Sequence, residues 1–314
     1  MWGLFPVSLA AVSPYHTPVL IDEISRLARG SRRIVDCTVG GGGHAERLLG
    51  EAVELLAIDR DPEALEAAQS RLGVERARWL NMGFADPRVL AAVARFNPDF
   101  VLMDLGVSGH QLDEDDRGFT FRPGAPLNMR MDPGADVSAA DVLGQSGEEE
   151  LARIFRTFGD ERRSRRLAAT IVRRRQRSKL TTSDDLVNAI RAALGPRTGP
   201  SEFARLFQAV RIAVNDELRA LEKALPAFLE SLVCGGVIAV VSYHSGEDRT
   251  VKQLFREWAS ECVCATGLPV CSCRGKALGK VEPKKPIYPS EQEVAVNPRA
   301  RSAKLRVFRK ADAS

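Results

Sequence analysis

The stretch "DCTVGGGGH", residues 36–44, follows a short apolar run at Ile34–Val35 and leads into a helical pattern at His44–Leu49. Glycine loses more backbone freedom on folding than any other residue, so a run of glycines needs a local reason. A tight strand-to-helix turn is one such reason. A turn that lets a ligand approach bare backbone, with the unpaired N–H groups of the helix start facing it, is a stronger one. The next apolar run, Leu55–Ile58, ends at Asp59, whose carboxylate suits the two hydroxyls of a ribose. A glycine-rich first turn with an acid closing the second strand marks a nucleoside-containing cofactor.

Outward from this turn, strand and helix signals alternate. Pro62 opens a helical stretch with Ala64, Leu65, Ala67, Ala68 and Leu72 on one spacing. Arg78–Leu80 is a third strand signal, and Phe100–Met103 is a fourth, ending at Asp104. This alternation predicts a parallel sheet covered on both faces, with right-handed crossovers. Residues 106–135, rich in Gly, Asp, Pro and Arg, predict a long structured loop of the kind that carries function. Helical periodicity resumes at Gly147, with Leu151, Ile154, Phe155 and Phe158 on one stripe, and predicts further helices at 161–177, 183–194 and 202–233. A strand at Val237–Val241, a helix at 248–259 and a last strand at Lys304–Phe308 return to the first pattern. The chain therefore divides into an α/β domain at 1–120, a helical insert at 121–212, and the rest of the α/β domain at 213–314.

The composition, 44% hydrophobic and 27% charged over 314 residues, is that of a globular protein with a substantial core. No stretch approaches the roughly 20 apolar residues of a membrane span. The opening MWGLFPVSLAAV lacks a basic start and contains Pro6, so it reads as a frayed extension, and a cytoplasmic location is expected. Net charge is only +4, but the basic residues cluster. In "ERRSRRLAATIVRRRQRSKL" (161–180), Arg162, Arg163, Arg165, Arg166, Arg173, Arg174, Arg175, Arg177 and Lys179 stand against Glu161 alone. With Leu167, Ala168, Ile171 and Val172 as the buried stripe, the remaining faces suit phosphate. Lys276, Lys280, Lys284, Lys285, Arg299, Arg301, Lys304, Arg306, Arg309 and Lys310 extend the basic character to the C-terminal segment. Of six cysteines, Cys262, Cys264, Cys271 and Cys273 form a C-x-C…C-x-C pair. Four thiolates so placed can hold structural zinc, although the spacing is tighter than C-x-x-C and all four can equally remain thiols, so no metal ligand is assigned. Cys37 and Cys234 read as small buried hydrophobes.

Three function classes compete for the glycine turn. Gly40, Gly42 and Ala45 satisfy the loose dinucleotide pattern G-x-G-x-x-A of a dehydrogenase, but His44 would crowd a pyrophosphate. A non-catalytic RNA binder would need the basic insert and no cofactor. S-adenosylmethionine has the ribose without the phosphate, and Asp104, at the strand end beside the switch point of such a sheet, favours it.

The chain also resembles the ribosomal RNA small-subunit methyltransferase H family. The resemblance runs from "HTPVLIDE" (16–23) through "DCTVGGGGH", "AIDRDPEAL", "MDLGVSGHQLD", "RGFTF", "MRMD", "LFQAVRIAVNDEL" and "SYHSGEDRTVK" to "NPRARSAKLRV" (297–307), in family order. It implies a Rossmann-like class I S-adenosylmethionine-dependent methyltransferase sheet with an inserted helical domain for substrate recognition. It implies methylation of N4 of a cytidine in the decoding region of small-subunit (16S) rRNA, either as free rRNA or in the assembled small subunit; a homodimer is left open. It further implies that Gly42, Gly43 and His44 contact the cofactor, that Asp59 holds its ribose, that Phe84 lies beside its adenine, and that Asp104 and Gln111 complete the pocket. The sequence departs from the family at Gly109-His110 (usually Ser-Pro), Asn128 (usually Asp), Tyr243 (usually Phe) and Gly246 (usually Leu).

The chemistry asks for hydrogen-bond acceptors. A cytosine amine shares its lone pair with the ring, and acceptors on its two N–H bonds favour a more pyramidal, more nucleophilic nitrogen. Asp104 is the first candidate, helped by carbonyls of the following turn; His244 and Ser242, at the end of the 237–242 strand, are the second, and His16 is another. The target base must leave its stack to reach such a pocket.

Overall fold

The computed structural model describes residues 18–50, 52–264 and 272–312. One sheet contains β1 Arg33–Asp36, β2 Glu54–Asp59, β3 Arg78–Asn81, β4 Phe100–Asp104, β5 Val237–Ser242, β6 Gly279–Val281 and β7 Lys304–Lys310. Their order is β3-β2-β1-β4-β5-β7-β6. Neighbours from β3 to β5 run parallel, and β7 is antiparallel to both β5 and β6. The chain thus starts mid-sheet, winds outward to β3, and returns to wind the other way from β4. The reversal between β1 and β4 opens a crevice at their C-terminal ends, the place where such α/β sheets bind ligands. This is the Rossmann-like sheet expected from the sequence.

The helices are α1 Ile21–Leu27, α2 Gly43–Leu49, α3 Pro62–Leu72, α4 Pro87–Phe96, α5 Gly109–Asp113, α6 Ala139–Gln145, α7 Glu148–Thr157, α8 Ser164–Arg175, α9 Ser183–Leu194, α10 Pro200–Asn215, α11 Glu217–Ser231, α12 Ser245–Trp258 and α13 Glu291–Val296. Strands buried on both faces read as continuous apolar runs, which is why Ile34–Val35 and Phe100–Met103 show no alternation. Val35, Ile58, Val101 and Met103 pack on one face against Phe228 of α11 and Phe255 of α12. Ile34, Leu55, Phe100 and Leu102 pack on the other against Leu48 of α2 and Leu65 of α3. Both α3 and α4 begin with an aspartate cap followed by proline: Asp61 accepts from the Glu63 N–H, and Asp86 from that of Arg88. The aspartate satisfies a donor left over at the helix start, and proline has none to satisfy there.

The helical insert has a core of its own, with Leu127, Leu143, Phe155, Leu167, Ile190 and Val210 buried together. The helix expected at 202–233 is two helices. The chain turns at Asp216, with φ 50°, so that α10 belongs to the insert and α11 to the sheet domain. The helices α1, α4, α5, α6 and α13 and the edge strand β6 were not expected, and Cys234, just after α11, is exposed where a buried cysteine was expected. Among the described residues, no helix is long and apolar enough to cross a membrane.

Candidate active site

The glycine turn, the ends of β2 and β4, and the loop after β4 enclose one cleft. Asp59 closes β2 with its carboxylate held by backbone: Oδ2 accepts from the Gly40 N–H at 2.9 Å and Oδ1 from the Asp61 N–H at 2.9 Å. Burial raises its pKa, against those two N–H groups, which lower it. Gly40, Gly41, Gly43 and His44 line the cleft beside it. Gly42, expected to contact the cofactor, is not among the residues that line it. A Cβ at Gly42 would lie 3.2 Å from Ala68 Cα on α3, and its φ of 81° disfavours a side chain, so packing of α2 on α3 explains this glycine.

Asp104 closes β4. Thr38 Oγ1 accepts from its backbone N–H at 2.8 Å, and Tyr243 donates its hydroxyl to Oδ1 at 2.9 Å. The His44 Nδ1 atom stands 3.6 Å from the other oxygen, Oδ2. His44 Nε2 pairs with the Val19 carbonyl at 3.0 Å, which places the proton on Nε2. Burial drives the His44 pKa down to about 4, so the ring is neutral near pH 7. The Tyr243 hydroxyl thus touches the central carboxylate. Burial first, and then the Asp104 charge, push its own pKa well up.

Phe84 is buried on the cleft wall, with the Arg60 guanidinium 5.9 Å from its ring centre. Gln111 is buried there too. Its Oε1 accepts from the Ser108 N–H at 3.1 Å, and its Nε2 donates to Asp61 Oδ2 at 2.8 Å. Arg117 also reaches Asp61 Oδ2, at 2.9 Å. The cleft thus gathers Gly43, His44, Asp59, Phe84, Asp104 and Gln111.

Two expected catalytic residues stand apart from its wall. Ser242 is buried at the end of β5, and its hydroxyl is 3.4 Å from the Lys304 carbonyl on β7, so it serves the strand pairing. His244 caps α12: its Nδ1 accepts from the Gly246 and Glu247 N–H groups at 3.2 and 3.4 Å. Its Nε2 lies 3.2 Å from Glu247 Oε1, and Glu247 itself lines the cleft. His16 lies outside the described residues. Asn128 and Asp132 organise the loop: Asn128 Oδ1 accepts from Arg130 Nε at 2.8 Å, and Asp132 Oδ1 from the Gly134 N–H at 2.8 Å.

Residues that sequence reasoning did not single out complete the site. Glu217, the first residue of α11, lines the cleft and pairs with Arg211 at 2.8 and 2.9 Å. Met131 of the insert lines it as well, its N–H donating to Asn215 Oδ1 at 2.8 Å. Asp36, at the end of β1, is buried, and its Oδ2 has no hydrogen-bond partner among the described residues. Burial, followed by the Asp104 and Asp59 charges, pushes its pKa up to about 7 against the Thr38 N–H, which lowers it. The acid before the glycine run was a signal in plain view, but its missing partner is a property of the folded chain.

The basic residues are used unevenly. On α8 and just before it, Arg162, Arg165, Arg166, Arg173 and Arg174 are exposed. Arg175 instead donates to the Leu143 and Ser146 carbonyls at the end of α6, and Arg163 to that of Leu194. Much of the C-terminal set is internally paired: Arg306 and Lys304 with Asp248, Arg299 with Asp113, Lys280 and Arg309 with Glu282. Lys310 donates to three carbonyls at the end of α11.

The chain matches the MraW methylase family over residues 13–311. It is 50% identical to the ribosomal RNA small subunit methyltransferase H of Gemmatimonas aurantiaca, over 95% of this chain and 96% of that one. Proteins of the same name from Heliobacterium mobile and Brevibacillus brevis are 44% and 41% identical, over 94% and 96% of this chain and 99% and 100% of theirs. The chain therefore belongs to the MraW methylase family and is a methyltransferase.

Proposed function

We propose that this enzyme transfers the methyl group of S-adenosylmethionine to N4 of a cytidine in the decoding region of small-subunit ribosomal RNA. The observation that carries this reading is one cleft whose two aspartates have different surroundings: Asp59, fixed by backbone N–H groups, and Asp104, held by a phenol.

The residues present fit the cofactor. Asp36 lies close enough to Asp104 and Asp59 to feel the charge of both. That electrostatic environment favours a cationic sulfonium and would repel a pyrophosphate, which argues against a dinucleotide. Asp59 would accept from the ribose hydroxyls, Phe84 would face the adenine, and Gln111, fixed by Asp61 and Ser108, would close the pocket beside it. The glycine turn, together with Gly43 and His44, would take the rest. When bound, the cofactor supplies a strongly electrophilic methyl group, so most of the protein's task is to position the acceptor.

Asp104 is the catalytic residue of this reading. Its carboxylate accepts from the target amine and favours the pyramidal nitrogen, while Tyr243 fixes its orientation. His44, neutral, adds no competing positive charge. His244 acts as a positioning residue through Glu247, and Ser242 takes no part. The exposed arginines of α8 would hold rRNA phosphates, with the protein working in the cytoplasm.

The test is to incubate the enzyme with labelled cofactor and either free rRNA or small subunits lacking the modification, then map the labelled nucleotide. Label on one decoding-region cytidine supports the reading, and the better acceptor identifies the substrate form. Label elsewhere, or none, overturns it. Light scattering of the purified enzyme distinguishes monomer from homodimer.

A further inference from the structure

The segment between α12 and β6 has no core of its own: from Ala259 to Val281, none of the described residues is buried. It leaves the fold at Trp258, which is buried in the main core, and returns beside it, where the Leu278 N–H donates to the Trp258 carbonyl at 2.8 Å. Arg274 ties the two arms together. Its Nη2 donates to the Glu257 and Ser260 carbonyls, and its Nε to that of Lys276. An excursion that buries so little apolar surface needs another source of order, and small lobes commonly take it from a metal.

Three cysteines converge there. The Sγ atoms of Cys262, Cys264 and Cys273 lie within 4.8 Å of one another. Zn–S bonds of about 2.3 Å in a tetrahedron place sulfurs about 3.8 Å apart, so closing on one ion needs only small movements. The Val263 N–H donates to Cys273 Sγ at 3.3 Å, an interaction that stabilises a thiolate. As a thiol, Cys273 also reaches the Glu261 carbonyl at 4.0 Å, a pairing released on deprotonation. Arg274 and Lys276 on the same lobe offset the charge of the thiolates. Soft sulfur donors at this spacing select zinc over the hard cations.

We propose that Cys262, Cys264 and Cys273 bind a structural zinc ion. The site lies on the connection from α12 to the edge strand β6, and none of its three cysteines lines the cleft. Its role is to staple the excursion, not to touch the reaction. Cys271 lies outside the described residues, and the three-sulfur site is argued without it. Binding releases the thiol protons to solvent, so affinity rises with pH.

The test uses the full-length enzyme, purified with a reductant and without chelator. The expected result is about one zinc per chain, released by a mercurial that titrates thiols. Exchange for cobalt(II) should give a thiolate-to-metal charge-transfer band in the near ultraviolet. The Cys262→Ala/Cys264→Ala variant should lose the metal and the band while keeping cofactor affinity. If that variant fails to fold, the wild-type metal content, mercurial release and cobalt spectrum still decide. Absence of retained zinc after incubation with the ion, a cobalt spectrum without the thiolate band, or a disulfide among these cysteines in the reduced preparation would overturn the proposal.

Discussion

Asp59 and Asp104 end β2 and β4, the strands on either side of β1, and their partners separate their work. Asp59 holds two backbone N–H groups, so Asp59→Ala leaves both without their acceptor as well as removing the ribose interaction. Cofactor affinity, read by calorimetry, should fall by about a hundredfold, the equivalent of a charged hydrogen bond at roughly 2–3 kcal/mol. Asp104→Ala should lower that affinity less than Asp59→Ala does and lower turnover by about a thousandfold; retained turnover would remove Asp104 from the mechanism. Tyr243→Phe removes one hydrogen bond from the catalytic carboxylate and should slow single-turnover transfer by up to about tenfold with cofactor affinity unchanged. A pH dependence follows from the same residues. Asp36, raised from 3.8 to about 7, contributes stability that is present at low pH and lost as pH rises toward 7. His44, lowered from 6.5 to about 4, does the reverse over 4 to 6.5, because the unfolded chain then binds the extra proton. Between pH 5 and 6.5 the two slopes oppose. Urea midpoints should therefore show stability rising with pH by about 2 kcal/mol in Asp36→Asn and falling by a similar amount in His44→Gln, each at roughly 1.4 kcal/mol per pH unit. Flat profiles in both variants would refute the opposition. Asp59 and Asp104 were legible in the sequence because each terminates an apolar run. The orphaned oxygen of Asp36 was not, because burial depends on what the fold brings over it.

At the scale of elements, the joint between α10 and α11 shapes the cleft wall. Asn215 donates to the Met129 and Arg211 carbonyls and accepts from Met131, while the next residue turns at φ 50°. Arg211 and Glu217 close the joint from either side. One long helix at 202–233 was the natural reading of the sequence because apolar periodicity runs through the joint, each helix burying a face, although in different cores. The Asn-Asp pair was the available signal, since these residues tolerate the left-handed conformation that ends helices. The parallel strands were read correctly, and in β1, β2 and β4 double-sided burial leaves apolar runs that end in acids. The edge strand β6 escaped, being three residues long with none fully buried. If the turn matters as argued, Asp216→Gly should be neutral or raise stability by up to about 1 kcal/mol, and Asp216→Val should cost about 1–2 kcal/mol. Thermal melts of the two variants check the ordering, and equal melts would show the backbone there to be unstrained.

Across the whole molecule, the useful quantity is which charges remain available, not the net +4. The sequence shows two basic regions of similar appearance, and the structure separates them by use. In the C-terminal segment, Arg306 is mostly buried against Asp248 and Lys310 holds the last carbonyls of α11, so these charges are committed to the fold. On α8, the stripe of Leu167, Ala168 and Ile171 faces the insert core; Arg165, Arg166 and Arg174, with Arg162 just ahead of the helix, are left to solvent. No reading of charge runs alone distinguishes these cases, because pairing partners such as Asp248 lie far away in sequence. The two regions should then respond differently to substitution. Replacing Arg162, Arg165, Arg166 and Arg174 together with alanine should weaken rRNA binding and lower the slope of log affinity against log salt by about 3, at roughly 0.7–0.9 for each phosphate no longer neutralised. Melting temperature and cofactor affinity should be unchanged. Arg306→Ala should instead leave Asp248 without its closest cation and lower the melting temperature, with the salt slope preserved. A slope that falls for Arg306→Ala and not for the α8 variant would move the RNA surface from the insert to the C-terminal strand.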